Sequence, residues 1–171
     1  MSLNRSTSLV QRAARALNAA LDRVTDAAAW LALPLVLLLF AQWPLRDLVG
    51  AGSRPANDAA QCVFALLVAF AVRHATRQHA HLAADTWAAR RPPRWRRAIQ
   101  RWGQAACVLP WSLFVVVAGW PMLERSVLGL EAFPDTFNPG YFIVKFSAWL
   151  LALLMVLQSL VELLLVEPET R

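Results

Sequence analysis

The chain has 171 residues, of which 58% are hydrophobic and 16% are charged. Soluble globular domains carry about 25% charged residues, so this composition excludes an ordinary soluble domain and indicates a membrane protein. The net charge is +6, and Lys145 is the one lysine among 17 basic residues. Arginines in such excess would suggest nucleic acid binding in a soluble protein, but here they lie between apolar runs, where they set topology and contact anionic lipid headgroups. We therefore expect anionic lipid and no nucleic acid as a partner.

Residues 1–26 show the 3.6-residue period of an amphipathic helix. The apolar face is formed by Val10, Ala13, Ala14, Leu17, Leu21 and Val24, and the polar face by Gln11, Arg12, Arg15, Asn18, Asp22 and Arg23. Ser8 and Gln11 have the spacing of a capping box, which predicts that the helix starts there. We expect this segment to lie in the membrane surface, and a soluble helix packed on a partner is the alternative.

Four apolar runs follow, each about long enough to cross a ~30 Å hydrocarbon layer. They predict spans at about 27–45, 57–75, 103–123 and 141–164, within a membrane domain of residues 27–166 and before a short tail, 167–171. Pro34 is expected to kink the first span. The second is short, so we expect Asn57 or Asp58 to cap it and Arg73 to snorkel to the interface at its other end.

The segment between spans two and three, residues 76–102, is strongly basic and is broken by two prolines. After them the sequence predicts a second surface helix that anchors the chain to the membrane. The anchoring residues would be Arg94, Trp95, Arg96, Arg97, Arg101 and Trp102. This segment and the N-terminal one hold most of the arginines, so the positive-inside rule places both in the cytoplasm. The predicted class is an all-α integral membrane protein with four transmembrane helices plus amphipathic surface helices, its N- and C-termini cytoplasmic.

All three histidines, His74, His79 and His81, lie in one short polar stretch after the second span. A metal site is disfavoured because no second group of ligands completes the shell, and haem is disfavoured because no span carries a histidine away from its edge. No nucleophile motif or phosphate-binding glycine loop is present, so we expect no enzyme activity, no catalytic residue, no metal and no cofactor.

The most specific pattern in this stretch combines Arg77, His81 and Asp85. On a helix the histidine and the aspartate would be one turn apart and could pair, with the arginine one turn earlier. We expect a polar cluster at the cytoplasmic interface that serves either the fold or partner docking, two uses that the sequence does not separate. Replacing His81 and Asp85 together should then weaken subunit assembly.

Three polar residues fall within the last span: Lys145, Gln158 and Glu162. An acid inside the membrane is a functional candidate by default, so Glu162 is a candidate for ion or substrate movement. Its place near the cytoplasmic end of a long helix favours a solvated carboxylate instead. Lys145, near the start of the span, is expected to snorkel outward.

The order of these features resembles the small membrane subunit of tripartite ATP-independent periplasmic (TRAP) transporters. Residues 77–85 resemble the family pattern Arg-x-x-Ala-His-x-x-x-Asp, and NPGYFIVKFSAWLLALLMVLQSLVELL is similar to its last helix. The resemblance implies a bacterial inner-membrane protein that pairs with a large multi-span permease subunit, to which a periplasmic binding protein delivers an organic anion. It further implies that the small subunit braces the scaffold, while substrate binding and sodium coupling reside in the large subunit.

Two other classes remain open at this point. One is a stand-alone small membrane protein, such as an assembly or interaction factor. The other is a homodimeric proton- or sodium-coupled exporter, which would depend on Glu162 as its membrane-embedded acid. Exchange of Glu162 for glutamine separates the exporter from a bracing subunit, because it should abolish the activity of the exporter and should be tolerated by the bracing subunit.

Overall fold

The computed structural model describes residues 3–50, 52–78, 92, 95 and 102–165. These ranges hold five long α-helices: α1 (Leu3–Ala29), α2 (Ala32–Val49), α3 (Arg54–Arg77), α4 (Leu109–Leu128) and α5 (Tyr141–Leu164). Four stretches are long and apolar enough to cross a membrane: Leu9–Leu48, Arg54–Arg77, Ala106–Leu128 and Tyr141–Leu164. The predicted all-α membrane class with four spans is confirmed.

The first helix begins earlier than the sequence predicts. It is already helical at Leu3, so the expected start at Ser8 is wrong. It ends at a turn just before α2, where Leu33 N donates to the Trp30 carbonyl (3.2 Å). Since Pro34 has no N–H, it cannot make the helical bond to that carbonyl, and the chain breaks there instead. The kink predicted at Pro34 thus occurs as a break four residues earlier.

The third helix starts at a different cap from the one expected. Ser53 is its N-cap, and the Ser53 hydroxyl accepts a hydrogen bond from Ala56 N at 3.3 Å. A proline in the first turn fits because that turn has no use for its missing N–H. Asn57 and Asp58 lie inside the helix, so the prediction that one of them caps it is wrong. With 24 residues, α3 is about 36 Å long, so this span is not short.

The last two helices flank an ordered loop, residues 129–140. A π-helical turn, Gln104–Val108, precedes α4, in the place where Pro110 leaves the Ala106 carbonyl without its helical donor. Helix α4 continues to Leu128, five residues beyond the predicted end of the span. Gly140 has a φ of +143°, a backbone conformation that favours glycine, and leads into α5 at the predicted residue.

Helices α3 and α5 pack against each other and form the centre of the molecule. Helix α2 packs on α3, α4 packs on α5, and α1 contacts both central helices. Small buried residues at the centre let the helices approach closely, as is common in membrane bundles. These are Ala60, Ala69, Ser147, Ala152 and Ser159. On the outer helices, by contrast, large apolar side chains are exposed at helical spacing: Leu33, Val36, Leu37, Phe40 and Trp43 on α2, and Trp111, Phe114 and Val117 on α4.

Candidate functional site

One arginine is completely buried where α1, α3 and α5 meet. Arg73, in the last turns of α3, has no exposed surface, although the sequence led us to expect it at the membrane interface. The expectation of snorkelling is therefore wrong. Burial of a charged group is costly unless it is paired and hydrogen-bonded, so its surroundings decide whether the fold is possible. We call this cluster, formed by Asn18, Asp22, Thr25, Arg73, Arg77, Gln158 and Glu162, the arginine cluster.

The guanidinium of Arg73 is satisfied by side chains from two other helices. Its Nε donates to Gln158 Oε1 at 3.1 Å, and its Nη1 donates to Thr25 Oγ1 at 3.0 Å. Its Nη2 donates to Asn18 Oδ1 at 3.4 Å. Every nitrogen of the guanidinium thus has a partner, and the acceptors are spread over α1 and α5. The side chain joins three helices through a single planar group.

Asp22 supplies the opposite charge. Its Oδ1 lies 2.9 Å from Arg73 Nη1 and 2.5 Å from Arg77 Nη1, so one carboxylate oxygen pairs with two arginines of α3. Asn18 Nδ2 also donates to Asp22 Oδ2 at 3.5 Å. Asp22 is partly exposed, which lowers the cost of holding the carboxylate in this place. The pairing fixes one face of α1 against the end of α3.

Gln158 links the cluster to the acid at the end of α5. Its side chain is almost fully buried, and its Nε2 donates to Glu162 Oε1 at 2.9 Å. An amide whose nitrogen is held by a carboxylate must turn its oxygen the other way, here toward Arg73. Glu162 therefore orients Gln158 and is half-buried beside it. With two acids and two arginines, the cluster is balanced in formal charge.

A second set of polar contacts ties the opposite end of the bundle together. Asp58, in the first turns of α3, is buried, and its Oδ2 accepts bonds from Thr136 Oγ1 (2.6 Å) and Asn138 Nδ2 (3.0 Å). Cys62 on the next turn donates weakly to the Gly140 carbonyl at 3.6 Å. These contacts hold the loop of residues 129–140 on the start of α3. They also explain why Asp58 is not a cap: its carboxylate is used by the loop.

The same end carries an ion pair at the surface. Lys145 Nζ lies 2.7 Å from Glu131 Oε1 and 2.6 Å from Glu131 Oε2, and Ser126 Oγ donates to the same carboxylate. Hydrogen bonds from Lys145 and Ser126 lower the pKa of Glu131, which lies in the loop. Lys145 Nζ is also 5.4 Å from the centre of the Tyr141 ring. The lysine does extend toward the end of the bundle, but it is paired there and not free in solvent.

Comparison with known protein families identifies the family of this chain. The family model described as "Tripartite ATP-independent periplasmic transporters, DctQ component" matches residues 35–167, which is most of the chain. The chain belongs to the DctQ family. It is thus a small subunit of a TRAP transporter, and the resemblance stated from the sequence is confirmed. No curated protein and no solved structure matches it. The DctQ family is a family of transporter components, and TRAP systems also include a large DctM subunit and a binding protein.

The site residues predicted for this DctQ protein have different outcomes. Arg77 takes part in the arginine cluster, where it pairs with Asp22 of α1. His81 and Asp85 lie outside the described residues, as do Arg94, Arg96, Arg97 and Arg101, so the predictions on them stay predictions. Trp95 and Trp102 are both exposed, at 64% and 68%. His74 is exposed as well, and one of its ring nitrogens lies 2.8 Å from Gln78 Nε2.

The intramembrane polar residues divide between the two ends of the DctQ fold. Gln158 and Glu162 belong to the arginine cluster, whereas Lys145 belongs to the ion pair with Glu131. Among the residues that the structure describes, no group of three or more histidine, cysteine or acidic side chains is placed to hold a metal ion. In both sets the polar groups bind one another, which is an arrangement that fixes helices in place.

Sequence reasoning missed the partners of Arg73. Asn18 and Asp22 were placed on the polar, outward face of α1, but they face the bundle together with Thr25. The spacing of these residues held a signal. Ala14, Leu21 and Ala28 repeat every seven residues and form a buried stripe along α1. Asn18 and Thr25 lie on that stripe, three or four residues from its members, and Asp22 lies beside it. Val10, Leu17 and Val24, which the sequence places on the apolar face of a surface-lying helix, are exposed at 46%, 37% and 51%.

Proposed function

We propose that this chain braces the membrane part of a heteromeric TRAP transporter in the bacterial inner membrane. It would pair with the large permease subunit, to which a periplasmic binding protein delivers an organic anion, and an ion gradient would drive uptake by symport. In this proposal the small subunit neither binds substrate nor takes a cofactor, and the coupling ion, expected to be sodium, is handled by the large subunit.

The arginine cluster is the observation that carries the bracing role. Arg73 is fully buried and each of its three side-chain nitrogens has an acceptor on α1 or α5, so the cluster joins three helices at one end. A moving transport pathway needs polar groups that can exchange partners with a solute, whereas a brace needs groups that are already satisfied. The pairing of Asp22 with both Arg73 and Arg77 is of the second kind.

The exposed apolar faces of α2 and α4 supply surfaces through which a large subunit could be held. Phe40 and Trp43 on α2 are exposed at 67% and 66%, and Trp111 and Val117 on α4 at 67% each. In a membrane such faces meet lipid or other helices, and aromatic residues add large contact areas to helix pairs. The two faces lie on the outer helices, away from the α3 and α5 centre.

Orientation and lipid contact are further parts of the proposal. By the positive-inside rule, the arginine-rich segments would lie in the cytoplasm, and the arginine cluster and both termini would then be on that side. On α1, Leu9, Val10, Leu17 and Val24 are exposed beside the face that packs on the bundle. Exposed arginines on the same helix, such as Arg12 and Arg23, would reach anionic lipid headgroups while these apolar side chains enter the interface.

Affinity purification of the tagged chain from its native membrane, followed by mass spectrometry, tests the proposal. Stoichiometric recovery of a large, many-span membrane protein is the expected result. Recovery of the chain alone, or only with copies of itself, would reject it and favour a stand-alone protein or a homodimeric exporter. A matched variant sharpens the test: Phe40→Ser should reduce recovery of the large subunit if α2 contributes the contact, while Leu130→Ser in the loop should not.

A further inference from the structure

The loop of residues 129–140 presents one large aromatic side chain in an unusual backbone conformation. Phe137 is 83% exposed and has a φ of +56°, in the left-handed region that bulky residues rarely adopt. Exposure of a phenylalanine at a loop tip gains nothing for the fold of this chain, and left-handed backbone costs free energy. The surrounding structure must therefore impose this conformation.

The loop is built to hold Phe137 in that position. Phe137 N donates to the Phe133 carbonyl at 2.9 Å, and Phe133 N donates to the Asn138 carbonyl at 2.8 Å. The neighbours of Phe137 on both sides, Thr136 and Asn138, are bound by the buried Asp58 carboxylate. Phe133 is buried and makes an edge contact with Tyr141 at 5.5 Å between ring centres. The backbone that carries the exposed ring is thus held by its hydrogen bond to Phe133 and by the contacts of its two neighbours with Asp58.

A polar cavity of about 820 Å³ lies next to this loop. Its lining includes Gln42 from α2, Asn57 and Gln61 from α3, and Asp135 from the loop. The Gln42 Nε2 atom is buried and has no hydrogen-bond partner among the residues that the structure describes. A protein segment that enters the cavity would offer this amide an acceptor in place of water.

We propose that the Phe137 ring and this cavity together form the docking site of this chain for the solute-binding protein of its transporter. The inference rests on the proposed function, which places this end of the bundle on the periplasmic side. A soluble protein can reach polar side chains at the end of the helices, whereas the lipid-facing subunit contacts would use the apolar helix faces. An exposed aromatic beside hydrogen-bonding groups is the usual composition of an interface hot spot.

The charges of the cavity argue against a lipid headgroup as the occupant. Asp58 and Asp135 line it together with one arginine, Arg54, so its formal charge is negative and does not favour a phosphate. The hydrocarbon of a lipid also offers no acceptor to the Gln42 amide. The partner surface should instead present an apolar pocket for the ring of Phe137 and a carbonyl oxygen for Gln42 Nε2.

The test uses the complex of this chain with its large subunit, reconstituted in lipid nanodiscs, and the purified binding protein of the same transporter. Affinity is measured by biolayer interferometry for the wild-type complex, for Phe137→Asn and for Leu130→Asn. Asparagine tolerates left-handed backbone, so both variants should fold. Leu130 is the matched control, because it lies in the same loop, is 62% exposed and also has a positive φ, +44°.

We expect Phe137→Asn to weaken binding by about tenfold or more, as for a hot-spot residue, and Leu130→Asn to change it by less than about twofold. Equal effects of the two variants, or no effect of Phe137→Asn, would overturn the inference. A photocrosslinker at position 137 should capture the binding protein, and capture of the large subunit or of lipid instead would overturn it as well. Failure of the chain to form a complex with any large subunit would reject the proposed function itself, a separate outcome from normal assembly with unaltered docking.

Discussion

Arg73 Nε and Gln158 Oε1 are 3.1 Å apart and join the ends of α3 and α5 across 85 positions of sequence. Because the Gln158 amide nitrogen is bound to Glu162, its oxygen is available to the guanidinium and cannot easily turn away. The remaining nitrogens of Arg73 reach α1, so this bond is one part of a contact among three helices. Removal of any member leaves a buried polar group without its partner.

Replacing Arg73 should be the most destabilising single change at this end of the molecule. In Arg73→Met, Gln158 and Asp22 lose a partner, and breaking a buried pair from one side costs about 3 kcal/mol or more. Arg46→Met is the matched control, since Arg46 is exposed on α2, and should change stability by less than about 0.5 kcal/mol. Denaturant unfolding in detergent micelles measures both. Equal stability of the two variants would contradict the role assigned to Arg73.

Glu162→Gln should preserve complex formation and transport. The glutamine oxygen still accepts a bond from Gln158 Nε2, so the orientation of the Gln158 amide is kept. Glu162→Leu removes the acceptor. It should lower stability by about 1–3 kcal/mol, because the Gln158 amide nitrogen then has no partner. Transport in proteoliposomes, together with the yield of the purified complex, checks the pair. Loss of transport in Glu162→Gln with normal assembly would instead support an ion-coupling acid and the exporter reading.

Replacing Asp58 should affect the order of the loop of residues 129–140 more than the order of α3. In Asp58→Asn one amide oxygen can still accept from both Thr136 and Asn138, so we expect a small effect. In Asp58→Leu both donors lose their acceptor, at a cost of about 1–3 kcal/mol each. Hydrogen exchange at the amides of Phe133 and Phe137 should then become faster. Unchanged exchange in Asp58→Leu would show that the loop is held by other contacts.

The ion pair between Glu131 and Lys145 predicts a pH dependence of stability. The pKa of Glu131 is lowered in the folded protein by its hydrogen bonds to Lys145 and Ser126. A carboxyl with a lowered pKa stabilises the fold fully above its unfolded value, about 4.3, and loses this contribution as the pH falls through the folded pKa. Thermal unfolding from pH 3 to 8 should therefore show that wild type exceeds Glu131→Gln at neutral pH and approaches it in acid.

The matched variant for this pH profile is Lys145→Met. It removes the first cause of the lowered pKa, so its stability should depend less on pH than that of wild type over the same range. If Lys145→Met keeps the full wild-type profile, the pH dependence does not come from this pair. Surface exposure of the pair predicts a small effect that weakens further with added salt.

The membrane class, the number of spans and the bounds of α5 were all predictable from the sequence. Long apolar runs must form helices in lipid because each backbone polar group needs a partner within its own segment. The Asn138-Pro139-Gly140 turn marks the start of α5, and the structure places that start at Tyr141. Cap and break positions were less predictable: Ser53 and not Asn57 or Asp58 caps α3, because the carboxylate of Asp58 is engaged by the loop.

The sequence by itself therefore determined which segments are helical and apolar, since that follows from local composition and period. Only the tertiary structure decided that Arg73 points inward and that Asn18, Asp22 and Thr25 face the bundle. An arginine near the end of a span gives the same local sequence pattern whether its side chain snorkels to the interface or is buried in the bundle. Its state depends on whether acceptors from 48 and 85 positions away converge on it, and that convergence exists only after α1, α3 and α5 have packed.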